Sequence, residues 1–121
     1  MVKSTYHIRL VEVTSLEYEE LIPKIYEWAH ERKIDQADPR VEFMKIAEEV
    51  GELSAAYNKK NHAKLVDSIG DLQIALLIFS RLVGVDHQKA LTDAYQTIAH
   101  RTGMTTADGV FIKQSDIEKE N

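Results

Sequence analysis

Two short acidic stretches hold the side chains best suited to chemistry: Glu48-Glu49-Val50-Gly51-Glu52-Leu53 and Asp67-Ser68-Ile69-Gly70-Asp71-Leu72. Each spaces carboxylates three or four residues apart, which on a helix sets them on a shared face. At about 100° per residue, Glu49 falls on the flank of the apolar stripe Phe43, Ile46, Val50, Leu53 and Tyr57, with Glu52 further round and Glu48 nearly opposite. In the second stretch Asp71 shares a side with Ala75, Ile78 and Leu82, so the pattern predicts a buried carboxylate. Such a group costs several kcal/mol unless something pairs with it. Lys64, one turn before Ser68, is one available partner. A divalent cation is the other and the favoured one, because four carboxylates together make the oxygen-rich site that hard Mg²⁺ or Mn²⁺ prefers. Gly51 and Gly70 sit mid-helix, where each costs about 1 kcal/mol relative to Ala; close helix crossing or ligand access would offset that. Acidic residues at helical spacing usually form a solvated face. Two clusters, each with a mid-helix glycine and one leading into an apolar run, make that bland reading the weaker one.

The elements that must position these groups are helices. Thr14 and Glu17 have capping-box spacing, and Leu21, Ile25, Trp28 and Ala29 recur helically to about Arg32, with a kink or restart expected near Leu21 because of Pro23. Asp38-Pro39 opens a second helix to about Lys59. Asn61 caps a third to Val83, stopped by Gly84; its stretch Leu72 to Phe79 is apolar except for Gln73, which predicts burial nearly all round. Asp86 caps a fourth, to Arg101, with Gly103 as its stop. Residues 5–13 alternate as an extended segment would, Asp108-Gly109 marks a turn, Val110-Phe111-Ile112 reads as extended, and Ser115 with Glu118 suits a last short turn. The expectation is one all-α domain over residues 1–121, a four-helix bundle with short extended ends.

Composition narrows the partners. In 121 residues there are 15 Lys and Arg against 20 Asp and Glu, a net charge of -5. That balance lacks the basic stripe needed to grip a nucleic-acid polymer. Cysteine is absent, which removes disulfides, thiolate metal sites and a Cys nucleophile and leaves oxygen and nitrogen ligands. The longest apolar run, Ile74 to Phe79, is too short to span a membrane, and the N-terminus lacks the apolar core of a signal peptide. A cytoplasmic protein is expected, without membrane partners.

The double acidic motif resembles that of the MazG-like nucleoside triphosphate pyrophosphohydrolases, an all-α family whose pattern is Glu-Glu-x-x-Glu, a spacer, then Glu-x-x-Asp. Glu48, Glu49 and Glu52 match the first half and Asp71 the final acid. The likeness runs from about Ile25 to Ile112, and the segment Arg101 to Lys113 is similar to short phage and bacterial members. Ser68 stands where the family has its second-motif Glu, with Asp67 the nearest carboxylate. Ala99 stands where a Lys is common.

The resemblance implies metal-dependent hydrolysis of a nucleoside or deoxynucleoside triphosphate to the monophosphate and pyrophosphate. It implies Glu49, Glu52 and Asp71 as ligands of Mg²⁺ (or Mn²⁺), with Asp67 as a fourth, and Glu48 as a water-orienting catalytic group alongside Glu49. Lys59, Lys60, Lys64, Gln96 and Arg101 are the candidate phosphate contacts; Trp28 and Tyr26 are the aromatics available to stack on a base, although an aromatic at helical spacing more often belongs to a core. The apolar third helix exceeds what one small unit can cover, so a homodimer or dimer of dimers is expected.

Two other readings compete. Glu27 and His30 have the Glu-x-x-His spacing of di-iron bundles, but that fold needs two such pairs and a second does not occur. A non-catalytic helical dimerisation or nucleotide-sensing module would keep the acidic cluster for stability or binding, and Ser68 is the feature that favours it.

Overall fold

The computed structural model describes residues 16–119; the extended segment expected over residues 5–13, and Thr14 of the expected capping box, lie outside them. The fold is all-α, with a single small two-stranded sheet among the described residues. No single described helix is long and apolar enough to cross a membrane. The chain divides at Val85/Asp86 into two compact units, each taken by itself below.

The first unit holds α1 (Tyr18–Glu31), a 3₁₀ turn (Ile34–Gln36), α2 (Pro39–Asn58) and α3 (His62–Leu82). Helix α1 starts later than its capping signal suggests, after Glu17, whose side chain makes no capping bond. It continues through Pro23, so the restart expected near Leu21 does not occur; a proline five residues beyond the first helical position removes one backbone donor without ending the helix. Helix α2 begins as Asp38-Pro39 dictates: the Asp38 carboxylate accepts from Arg40 N at 2.9 Å, and Pro39 occupies the first position, where no donor is needed.

The link from α2 to α3 is short and tightly hydrogen-bonded. Lys60 takes a left-handed conformation (φ 55°), Asn61 N donates to Ala56 O at 3.0 Å and Lys60 N to Tyr57 O at 3.1 Å, the paired bonds of a Schellman ending. Asn61 then caps α3, its Oδ1 accepting from Lys64 N at 3.2 Å. So brief a turn folds α3 back along α2, and these two helices make the main helix contact of the unit. Helix α3 ends on Gly84 (φ 75°), with Val85 N donating to Ser80 O at 2.8 Å.

Burial departs from the apolar pattern in two places. In α2 the side turned inward carries Glu42, Ile46, Glu49, Leu53 and Ala56, whereas Phe43, Val50 and Tyr57 of the predicted stripe are exposed, Tyr57 by 72%. In α3 Ala75, Leu77 and Ile78 are buried, but Val66, Ile69 and Leu76 are exposed, so this helix is not buried all round. Among the described residues of the first unit, α1, the 3₁₀ turn and α2 are the elements that lie against α3, and they leave this side of it open. Asp71, predicted to be buried, is exposed, because it lies beside a cavity rather than under a neighbouring helix.

The second unit holds α4 (His87–Ala99), β1 (Gly103–Thr105), β2 (Phe111–Lys113) and α5 (Gln114–Lys119). Asp86 caps α4 by accepting from Lys89 N at 3.1 Å. The helix ends at Ala99, short of the expected Arg101, and Gly103 is not its stop: it pairs with Lys113 in an antiparallel hairpin. A Cβ on Gly103 would run into the Ile112 carbonyl oxygen, so the close approach of the strands requires glycine there. Gly109 (φ 85°) turns the hairpin. Ser115 lies inside α5 rather than capping it.

Candidate active site

Small side chains open the space in which the acidic groups meet. Ala55 and Ala56 on α2 face Ser68 on α3, and between the two helices lies a cavity of about 330 Å³. Glu52 reaches its wall from α2, while Asp67 and Asp71 reach it from α3. The other side, towards the hairpin turn, is formed by Lys59, Asn61 and Lys64. One hollow therefore carries three carboxylates, two ammonium groups and a side-chain amide.

Glu49, one turn before Glu52, completes the acidic group. Its Oε2 is enclosed and has no hydrogen-bond partner. Burial pushes its pKa above the usual carboxylate range, and repulsion from Glu52 and Asp71 together with a hydrogen bond to the Glu52 carboxyl adds to that, against a smaller opposing pull from Lys45. Glu49 thus feels the repulsion of a carboxylate on its own helix and of one on the facing helix. Among the described residues, no three Asp, Glu or His side chains are drawn close enough around one point to hold a metal ion as they stand. The carboxylates surround a common space without closing on it.

The remaining sequence candidates divide. Lys59 and Lys64 line the cavity, and neither forms an ion pair with a carboxylate among the described residues; the pairing of Lys64 with Asp71 considered from sequence is not formed. Ser68 lines the cavity and is only 5% exposed, so a buried hydroxyl occupies the position where the motif has an acid. Glu48 is exposed and does not line the cavity. Lys60, left-handed at φ 55°, is likewise outside its wall. Trp28 sits in a separate apolar hollow of about 280 Å³ with Lys24, Ile25 and Ile74, and the Arg32 guanidinium lies 4.5 Å from its ring centre. Tyr26 has Arg81 over its ring at 4.7 Å. Gln96, in α4, and Arg101, just past its end, belong to the second unit and are exposed there. His30 engages Asp35, Nδ1 to Oδ2 at 2.7 Å.

Three features escape a reading of the acidic motifs alone. Glu42 is 4% exposed with Oε1 unpartnered; its signal was its place two turns before Glu49 on the same side of α2. Lys45 precedes Glu49 by one turn, the spacing at which opposite charges attract. Asn61 was legible as a cap but not as a wall of the cavity. The mid-helix glycines do not reflect close crossing, since a Cβ at Gly51 or Gly70 would meet nothing within 4 Å.

Two curated proteins are similar to the chain. An uncharacterized 18.2 kDa protein from the rep-hol intergenic region of Haemophilus phage HP1 is 32% identical over 69 residues, covering 56% of this chain and 42% of that protein. The nucleoside triphosphate pyrophosphohydrolase/pyrophosphatase MazG of Thermotoga maritima is 31% identical over 100 residues, covering 79% of this chain and 38% of MazG. The chain thus spans about two fifths of the length of the curated relatives it matches. No family model matches it, and no solved structure does.

Proposed function

We propose that this protein hydrolyses a nucleoside or deoxynucleoside triphosphate to the monophosphate and pyrophosphate, using Mg²⁺ or Mn²⁺. The observation that carries the reading is the meeting of Glu52, Asp67 and Asp71 from two helices at a cavity that also presents Lys59 and Lys64, with Glu49 one turn before Glu52 and coupled to Glu52 and Asp71. The similarity to MazG supports the same activity.

The residues suit a hard divalent cation. Their donors are all oxygens, Glu49 Oε2 is enclosed without a partner, and burial together with Glu52 and Asp71 raises the cost of ionising Glu49. Glu49, Glu52 and Asp71 would hold the ion, with Asp67 as a fourth ligand in place of the absent acid at Ser68. When bound, such a cation neutralises phosphate charge and makes a nearby water more acidic. The chain itself collects the negative groups, buries Ala75, Leu77 and Ile78 of α3, and offers a carboxylate oxygen of this cluster to accept the water's proton. In the reaction a water oxygen bonds to the α-phosphorus. The bond from that phosphorus to the oxygen bridging to the β-phosphorus breaks, its electron pair leaves on pyrophosphate, and the water's proton passes to a carboxylate and then to solvent.

Assembly belongs to the same proposal. Phe43, Val50 and Tyr57 recur every seventh residue on the exposed side of α2, and Val66, Ile69 and Leu76 are exposed on α3. Apolar faces of this kind are commonly covered by a second subunit, so the working form is a homodimer or a dimer of dimers.

The test is pyrophosphate release, read as inorganic phosphate after added inorganic pyrophosphatase, over the eight common ribo- and deoxyribonucleoside triphosphates. Turnover of at least one with Mg²⁺ or Mn²⁺, lost in excess chelator, is expected. No turnover of any, with nucleotide still bound, would favour the sensing module that Ser68 leaves open.

A further inference from the structure

We infer that Lys59, Asn61 and Lys64 form an anion subsite for the leaving pyrophosphate half of the substrate, so that the triphosphate lies along the cavity with its α-phosphate at the acids and its terminal phosphates at the hairpin turn. This orientation rests on the activity proposed above.

The cavity is polar in a graded way. Glu52 stands about two turns before the hairpin on α2, and Asp67 and Asp71 stand on successive turns beyond Lys64 on α3, whereas Lys59, Asn61 and Lys64 flank the hairpin itself. The two lysines share this hollow with carboxylates yet pair with none among the described residues, so both ammonium groups are available to a ligand. Asn61 spends its Oδ1 on the cap of α3, accepting from Lys64 N at 3.2 Å, which turns its amide donors away from that bond. The turn is fixed by the bonds from Asn61 N to Ala56 O and from Lys60 N to Tyr57 O, and the left-handed Lys60 places its two neighbours, but not itself, on the cavity wall. Ser68 follows Lys64 by one turn and is buried, and beside it the Asp67 carboxylate lies between Lys64 and Asp71 along α3.

The chemistry fits the leaving group. As the bridging bond breaks, negative charge grows on the oxygens of the β-phosphate, and donors aimed at that charge lower the barrier. Ammonium groups act as point charges towards phosphate and need no fixed fork geometry.

The experiment uses the full chain and two probes, Mn²⁺ alone and inorganic pyrophosphate in the presence of Mg²⁺, each titrated calorimetrically, together with KM for a hydrolysed triphosphate. In Lys59→Gln/Lys64→Gln, pyrophosphate affinity should fall and KM rise by about tenfold or more, while Mn²⁺ affinity stays within about twofold. Lys60→Gln should leave all three as in the wild type. The inference is overturned if the double variant keeps pyrophosphate affinity and KM within about twofold, or if Lys60→Gln loses as much as the double variant. A wild type that binds pyrophosphate through these lysines but hydrolyses no triphosphate would overturn the proposed activity instead, and the orientation with it.

Discussion

Glu52, near the end of α2, and Asp71, in the middle of α3, line one cavity, although the chain between them runs out to the hairpin and back. The left-handed Lys60 and the capping Asn61 produce that relationship, because they reverse the chain in so few residues that the acidic turns of the two helices stand at one level. If the relationship serves catalysis, Glu52→Gln and Asp71→Asn should each reduce turnover by roughly 10²-fold or more while the circular dichroism spectrum is retained. Wild-type turnover in either variant would show that the two carboxylates are bystanders.

Glu49 should set a pH dependence of stability. Its folded-state pKa lies above its ordinary value, chiefly through burial and then through Glu52 and Asp71. The folded state therefore holds its proton more tightly than the unfolded state. The resulting contribution is fully present below the usual carboxylate range and is lost as pH rises through the raised pKa. In chelator, Tm should fall across that interval; Glu49→Gln should flatten the fall and raise Tm at pH 7 by about 2 °C, and Mn²⁺ should restore wild-type Tm at pH 7. A Glu49→Gln protein that melts lower than wild type at pH 7 in chelator would contradict this.

Lys60 and Gly84 both occupy the left-handed region after a helix end, at φ 55° and 75°. Glycine meets that geometry without a Cβ penalty, so Lys60→Gly should stabilise by about 0.5 kcal/mol and Gly84→Ala should destabilise by about 1 kcal/mol. Urea denaturation measures both, and a destabilising Lys60→Gly would show that the lysine side chain contributes more than its backbone costs.

The exposed stripe Phe43, Val50 and Tyr57, with Ile69 on α3, should bury itself between subunits. Light scattering at micromolar concentration should give at least twice the 13.8 kDa chain mass, and Ile69→Lys should shift it towards the monomer. A monomer alone in the wild type would remove the proposed assembly.

Local chemistry made much of this architecture readable from sequence. Asp38-Pro39, Asn61, Gly84 and Asp86 act within one turn of themselves, and the structure uses each as its residue type dictates. The acidic positions were legible for the same reason, since helical spacing alone set Glu49 beside Glu52. What was not legible depended on neighbours. Asp71 shares an apolar side of α3, yet the small Ala55, Ala56 and Ser68 leave open space beside it, and no periodicity reports the volume of residues on a facing helix. Phe43, Val50 and Tyr57 formed the expected core stripe, while Glu42 and Glu49 are the residues turned inward. Gly103 looked like a helix stop because its need for a missing Cβ arises from Ile112, which pairs with the adjoining strand residue.

The most direct measurement is pyrophosphate release from nucleoside triphosphates by the wild type and by Asp71→Asn, side by side in Mg²⁺ and in excess chelator. Release is expected from the wild type with Mg²⁺ alone, with none above background in the other three conditions. Equal release by Asp71→Asn, or release that persists in chelator, would contradict it.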